Sequence, residues 1–161
     1  MRRGITRRRD GTYRVDLPEE ERSVLASLPD QLRDALDAGE PTLYRLFPPA
    51  HAADEAANEE WARLVGPGLL DGKLRALAEL QRTAHATSLD EEELGAWLGA
   101  LESLRLVLGT QLDVTEEYDA FAKNDPDAPR HALYAWLSWL QEEVVQALAA
   151  SLPEPRSNAD A

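Results

Sequence analysis

Leu94, Trp97, Leu98, Leu101, Leu104, Leu108 and Leu112 recur at steps of three and four residues, which puts all seven on one wide face of a single helix. A face that apolar must be covered, because most helical stability in a protein comes from packing rather than from the helix itself. The chain supplies a cover: Leu133, Trp136, Leu137, Leu140, Val144 and Leu148 repeat the spacing after Pro129. Two long helices that need each other predict helix-on-helix packing. A length of 161 residues suits one domain with one core.

Shorter signals fill in the remainder. Asp16-Leu17-Pro18-Glu19 offers a capping residue, a proline tolerated in a first turn and an early carboxylate, so a helix is expected from about Leu17. Val24, Leu25, Leu28, Leu32 and Leu36 form its stripe, Pro29 is expected to kink or split it, and Gly39 to end it, with Pro41 beyond. In the connection from 41 to 51, Leu43, Leu46 and Phe47 are expected to reach the core. A helix over about 53–65 carries Trp61 and Leu64. Gly66-Pro67-Gly68 is expected to break it before a further helix over 69–86 with Leu70, Leu74, Leu77 and Leu80. Ser88-Leu89-Asp90-Glu91 reads as a capping box for the helix that follows.

Ahead of all this lies a different kind of segment. Ile5 to Arg9, then Asp10-Gly11, then Thr12 to Asp16 reads as a β-hairpin closed by a two-residue type I′ turn. Alternation puts Tyr13 and Val15 on one face and Thr12, Arg14 and Asp16 on the other. An isolated hairpin is marginal, so this one must dock on the helices. The expected architecture is therefore mainly α: a compact bundle of about five helices over 17–151, a basic hairpin over 1–16, and a disordered tail over 152–161.

The hairpin is also where the charge is unusual. Arg2, Arg3, Arg7, Arg8, Arg9 and Arg14 face only Asp10, a net +5, while the whole chain carries −13, so everything after Arg14 carries −18. Three readings of this basic ribbon compete: it neutralises the acidic helices of its own molecule, binds an acidic protein partner, or touches nucleic acid. The acidic body disfavours a broad nucleic-acid surface, so such a contact would have to be confined to these arginines. Lysine occurs only at Lys73 and Lys123, a bias that weakens any argument from arginine count alone.

Chemistry leaves few traces. Cysteine is absent, which excludes disulfides, thiolate metal sites and thiol nucleophiles, and fits a cytoplasmic protein. No run approaches the ~20 apolar residues of a membrane span, and the opening arginines lack the apolar stretch of an export signal. His51, His85 and His131 lie far apart outside any metal-binding spacing. The carboxylate runs Glu19-Glu20-Glu21 and Asp90 to Glu93 stand at helix N-termini, where the dipole favours them. Gly66-Pro67-Gly68 lacks the spacing of a phosphate loop. No catalytic residue, metal ligand or cofactor is expected.

Two further residues are candidates for contact. Arg105 interrupts the apolar run at the margin of the buried face, either snorkelling or ion-paired, with Glu142 or Glu143 of the last helix as the partner, or else lining a recognition groove. Trp139 lies about 100° round from Leu140, at the edge of its stripe, where it can partly face a partner. Apolar area left over on the last two helices would suit a homodimer.

The segments Leu104-Arg105-Leu106-Val107-Leu108-Gly109-Thr110-Gln111-Leu112, Leu133 to Glu142 and Leu43 to Ala50 resemble an actinobacterial family catalogued as a domain of unknown function. The resemblance runs from the basic first strand to Leu148, with Pro18 and Pro29 as a departure in the first helix. It implies a small helical cytoplasmic protein, often encoded beside the adaptor of the Clp protease and sometimes labelled a transcriptional regulator. It brings no catalytic residues. The expected function is non-enzymatic: a regulatory or adaptor-like module acting through protein contacts, with a transcription-associated factor using the hairpin on nucleic acid as the alternative.

Overall fold

The computed structural model describes residues 3–37, 66–112 and 128–152. The chain opens with strands β1 (Gly4–Arg7) and β2 (Tyr13–Asp16), paired antiparallel with Ile5 opposite Val15 and Arg7 opposite Tyr13. The connection is longer than the expected two-residue turn. The Arg8 N–H donates to the Thr12 carbonyl (2.7 Å) and the Gly11 N–H to the Arg8 carbonyl (3.2 Å), with Gly11 at φ +88°. Those bonds describe a turn over Arg8–Gly11 whose last residue takes the left-handed conformation, the three-residue alternative to type I′. Asp10 stabilises it by accepting from both the Thr12 N–H (2.9 Å) and the Thr12 hydroxyl (2.6 Å).

A third strand, β3 (Ser88–Leu89), completes the sheet in the order β1-β2-β3, so the hairpin is part of a small three-stranded sheet. Ser88 pairs with Arg14 in that strand and does not cap a helix. The capping box lies two residues later: the Asp90 carboxylate accepts from the Glu93 N–H (2.7 Å), and the Glu93 carboxylate accepts from the Asp90 N–H (2.9 Å).

Four helices stand among the described residues: α1 (Glu19–Asp37), α2 (Gly66–Thr83), α3 (Glu91–Leu112) and α4 (Ala128–Ala149). The expected helix over 53–65, the plug of Leu43, Leu46 and Phe47, and the tail after Leu152 lie outside the described residues. The start of α1 is set by the Pro18 carbonyl, which accepts from the Arg22 N–H (3.1 Å), while Asp16 closes the sheet opposite Gly4. Pro29 does not split α1, which runs unbroken to Asp37 with Pro29 fully buried. Gly66-Pro67-Gly68 forms the first turn of α2, which starts ahead of the expected Leu69 because the first-turn N–H that proline lacks has no helical partner anyway; the segment it was expected to separate from this helix lies outside the described residues.

The core forms where α3 packs on α2 and α4, with α1 against α2 and α4 against β1. Trp97, Leu94, Leu101, Leu137, Leu140, Leu77, Leu80 and Leu25 are all fully buried there, as the helical spacing predicts, although Val24 is exposed. One buried polar chain is closed inside: the Trp97 indole N–H donates to the Thr83 hydroxyl (2.7 Å), which donates to the Glu79 carbonyl (2.6 Å), whereas the buried Ser103 hydroxyl and Trp136 indole N–H have no partner among the described residues. Gln81 donates to the Ala26 carbonyl and to Asp30, joining α2 to α1.

The most consequential buried polar group is Arg22, only 6% exposed. Its guanidinium donates to the carbonyls of Leu17 (3.0 Å), Val15 (2.8 Å), Ala84 (3.3 Å) and Ala86 (2.6 Å). One side chain thus fastens β2, the entry to α1 and the turn between α2 and β3. At the opposite edge of the sheet, the Ile5 N–H donates to the Glu143 carboxylate of α4 (3.3 Å). Glu143 comes so close that a Cβ on Gly4, at φ +121°, would collide with it.

Two stability predictions follow from these anchors. Arg22→Ala leaves several carbonyls buried without donors, and a loss of about 3 kcal/mol or more is expected in urea unfolding, with Arg22→Lys recovering only part because an ammonium cannot span the same fan of acceptors. Gly4→Ala is expected to cost about 2 kcal/mol or more from the strained backbone and the displaced Glu143. A midpoint within experimental error of the parent would contradict either assignment.

Candidate interaction surface

The arginines of the hairpin divide into two groups. Arg3 is held by its own molecule: it forms an ion pair with Glu21 of α1 and stacks its guanidinium over the Trp139 ring, 4.3 Å from the centroid. Trp139 is half-buried against the core, at the edge of its stripe as its helical phase suggested, and its ring carries the Arg3 guanidinium of its own molecule. Arg14 is half-buried, in register between Thr6 and Ser88. Arg2 lies outside the described residues.

Arg7, Arg8 and Arg9 form the second group. All three are exposed at the hairpin tip. The Arg8 guanidinium comes no closer to a side-chain partner than 3.4 Å, at the Ser88 hydroxyl, and among the described residues none of the three forms an ion pair. Asp10, next to Arg9 in the chain, is committed to the turn. Its hydrogen bond from the Thr12 hydroxyl, then that from the Thr12 N–H, hold its carboxyl below the ordinary value of 3.8.

Arg105 is anchored otherwise than expected. It donates to the Ser138 hydroxyl (2.9 Å) and the Gln141 side-chain carbonyl (2.8 Å), and lies beside the Tyr134 ring, 5.3 Å from its centroid. Glu142 instead accepts from Gln146 (3.0 Å), and Glu143 faces β1. Neutral acceptors one and two turns apart on α4 meet the guanidinium because Tyr134, Ser138 and Gln141 share a face, while Glu143 lies about 200° round from Gln141.

Sequence reasoning missed Arg22 and assigned Glu143 the wrong partner. A signal existed for both: each falls in phase with a buried stripe, Arg22 three residues before Leu25 and Glu143 three after Leu140. Of the histidines, His85 sits in the turn after α2 with Nδ1 2.9 Å from a Glu19 carboxylate oxygen, and His131 is buried in α4. Among the described residues no group of His, Cys, Asp or Glu could hold a metal ion, and no helix is long and apolar enough to cross a membrane.

The profile of one family, described as a domain of unknown function (DUF2017), matches residues 1–148. The chain belongs to that family. It is also similar to proteins named oxidative stress regulator AosR in Mycobacterium tuberculosis and Mycobacterium bovis, with 30% identity over 131 residues, covering 70% of this chain and 60% of each relative. The matched region thus spans less than two thirds of those relatives' length. An actinobacterial family with regulator relatives is in keeping with the expected resemblance. No solved structure matches the chain.

The turn chemistry is testable through Asp10. Its carboxyl is expected to titrate below 3.8 in a 13C-detected NMR titration, and Thr12→Val, which removes the hydroxyl donor, to bring it back up. Because the folded value is the depressed one, the contribution of this contact is present above the ordinary aspartate value and is lost as pH falls through the folded value. An unchanged titration in Thr12→Val would show that the hydroxyl bond is not the cause.

Proposed function

We propose that this chain is a non-enzymatic regulatory module that works by holding an acidic protein partner at the tip of its hairpin. The observation behind this reading is the division of the arginines. Arg3 is spent on Glu21 and Trp139, whereas Arg7, Arg8 and Arg9 stand exposed and without ion pairs among the described residues. The regulator names of the AosR relatives point the same way. With no cysteine in the sequence, thiol oxidation within these residues is not available as a signal, so regulation by contact is the simpler mechanism.

The finer parts of the proposal are a cytoplasmic setting and a link to Clp proteolysis, both implied by the family resemblance. Self-association into a homodimer is compatible with it. The second reading, contact with nucleic acid, draws on the same three guanidinium groups. It is distinguished by its salt dependence, because release of counterions from Z phosphates gives a slope of about −0.9Z against log salt for duplex DNA.

Immobilised parent protein and an Arg7→Gln/Arg8→Gln/Arg9→Gln variant, both checked for equal folding, can be offered nuclease-treated extract and then the purified Clp adaptor. A protein retained by the parent and lost from the variant is the expected outcome. Equal retention by both baits would overturn the reading.

A further inference from the structure

The hydrogen-bond phase of the hairpin leaves part of β1 open. Because Arg8 and Thr12 form the closing hydrogen-bonded pair, the two-residue alternation makes Thr6 with Arg14 and Gly4 with Asp16 the other bonded pairs. The main-chain groups of Ile5 and Arg7 therefore point away from β2, toward the outer edge of the sheet. Two bonds confirm the phase independently: Ile5 N–H reaches outward to Glu143, and on β2 the Val15 N–H reaches the Thr87 carbonyl on the opposite side (2.9 Å). Helix α4 thus satisfies the edge at Ile5 N–H, while among the described residues Arg7 N–H and C=O have no partner.

Beside that open stretch lies a cleft of about 270 Å³ between β1 and the C-terminal half of α4, lined by Ile5, Thr6, Arg7, Gln146, Ala147 and Ala150, with Glu143 at its inner end. A helix has no free main-chain donors or acceptors along its side to offer this edge, whereas a short extended chain matches its unpaired main-chain groups. Exposed edges invite any strand unless charge excludes most of them. Here the edge runs directly into Arg7, Arg8 and Arg9 on a molecule of net charge −13. A second copy pairing antiparallel through β1 would bring its own arginines toward these, so self-pairing is disfavoured.

We infer that the open edge of β1 at Arg7 is an acceptor for an extended acidic peptide segment, which adds as a short strand in the cleft against α4 while its carboxylates meet Arg7, Arg8 and Arg9. This rests on the reading of the hairpin tip as a protein-binding site and adds the conformation in which the partner binds. Arg7 alone contributes both elements of recognition, its main chain to pairing and its guanidinium to charge.

The probe is the blocked pentapeptide Ac-Asp-Val-Asp-Val-Asp-NH2, titrated into the 15N-labelled full chain at low salt. Its analogue with N-methylated valines and a five-nucleotide thymidine oligomer serve as competitors. Saturable shifts centred on the Arg7 amide and slowed exchange of that amide are expected. Binding should weaken about tenfold on N-methylation, and about tenfold or more in the Arg7→Gln/Arg8→Gln/Arg9→Gln variant. If the N-methylated peptide binds equally well and the arginine dependence persists, strand addition is wrong while the tip remains a charge contact. If the oligomer displaces the peptide and shifts the same arginines more tightly, the ligand is nucleic acid. If nothing depends on the three arginines, the inference and the reading beneath it fall together.

Discussion

The sheet and the helices of this protein are joined through one guanidinium group. Arg22 is buried, and its partners are the carbonyls of Leu17, Val15, Ala84 and Ala86. These carbonyls belong to segments that the regular ladders leave unpaired, where the chain passes from strand to helix and from helix to strand. Unpaired carbonyls in a dry interior are costly, and a cation satisfies several at once because its planar fork presents five donors. The burial of the arginine and the closure of the turns are therefore one event. Without the carbonyls the charge would have no reason to be inside, and without the charge β2 and the turn after α2 would have no common anchor.

A similar economy fixes the other side of the sheet. Glu143 approaches β1 because Gly4 has no side chain, and its carboxylate takes the Ile5 N–H. Arg3 then lies over Trp139 and pairs with Glu21, binding the start of β1 to α4 and α1 together. Stacking on a tryptophan face adds to an ion pair that would be weak on its own at an exposed site. The base of the ribbon is thus immobilised by three side chains on two helices, while its tip, four residues further on, has no contact of comparable strength among the described residues. Rigidity at one end and free charge at the other are consequences of where the glycine and the tryptophan stand.

Much of this fold is legible in the sequence, and the parts that are not share a cause. The stripes of α3 and α4 are legible because helical period depends on near neighbours, and Trp97, Leu101, Leu137 and Leu140 are buried as their spacing requires. The face of β2 is legible for the same reason, with Tyr13 and Val15 inside. The capping box was assigned to Ser88 instead of Asp90, although each precedes a glutamate by three. Pairing of Ser88 with Arg14, seventy-four positions away, settles the choice, and no local rule contains that pairing. The hairpin turn was misjudged because Asp-Gly favours two different turns, and the burial of Tyr13 and Val15 against the helices selects the register. Arg22 and Glu143 were hidden because their partners are main-chain groups on distant segments, which side-chain spacing does not display. The same limit applied to Arg105: its phase predicted partial burial correctly, but not that neutral groups would meet it.

Charge and anchoring together determine what the exposed tip can do. A disordered basic tail of equal charge would have to lose conformational freedom on binding, whereas this ribbon has already lost it in folding, so less of any interaction energy is consumed by ordering. The acidic body limits the other side of the balance. At physiological salt its repulsion extends about 8 Å, so a long polyanion lying across the tip would meet helix carboxylates on either side of it. A short acidic stretch confined to Arg7, Arg8 and Arg9 meets only the attractive part of that field. The segregation of charge visible in the first fourteen residues therefore acts as a filter on ligand length as much as on ligand sign, and it does so only because the hairpin is held in place.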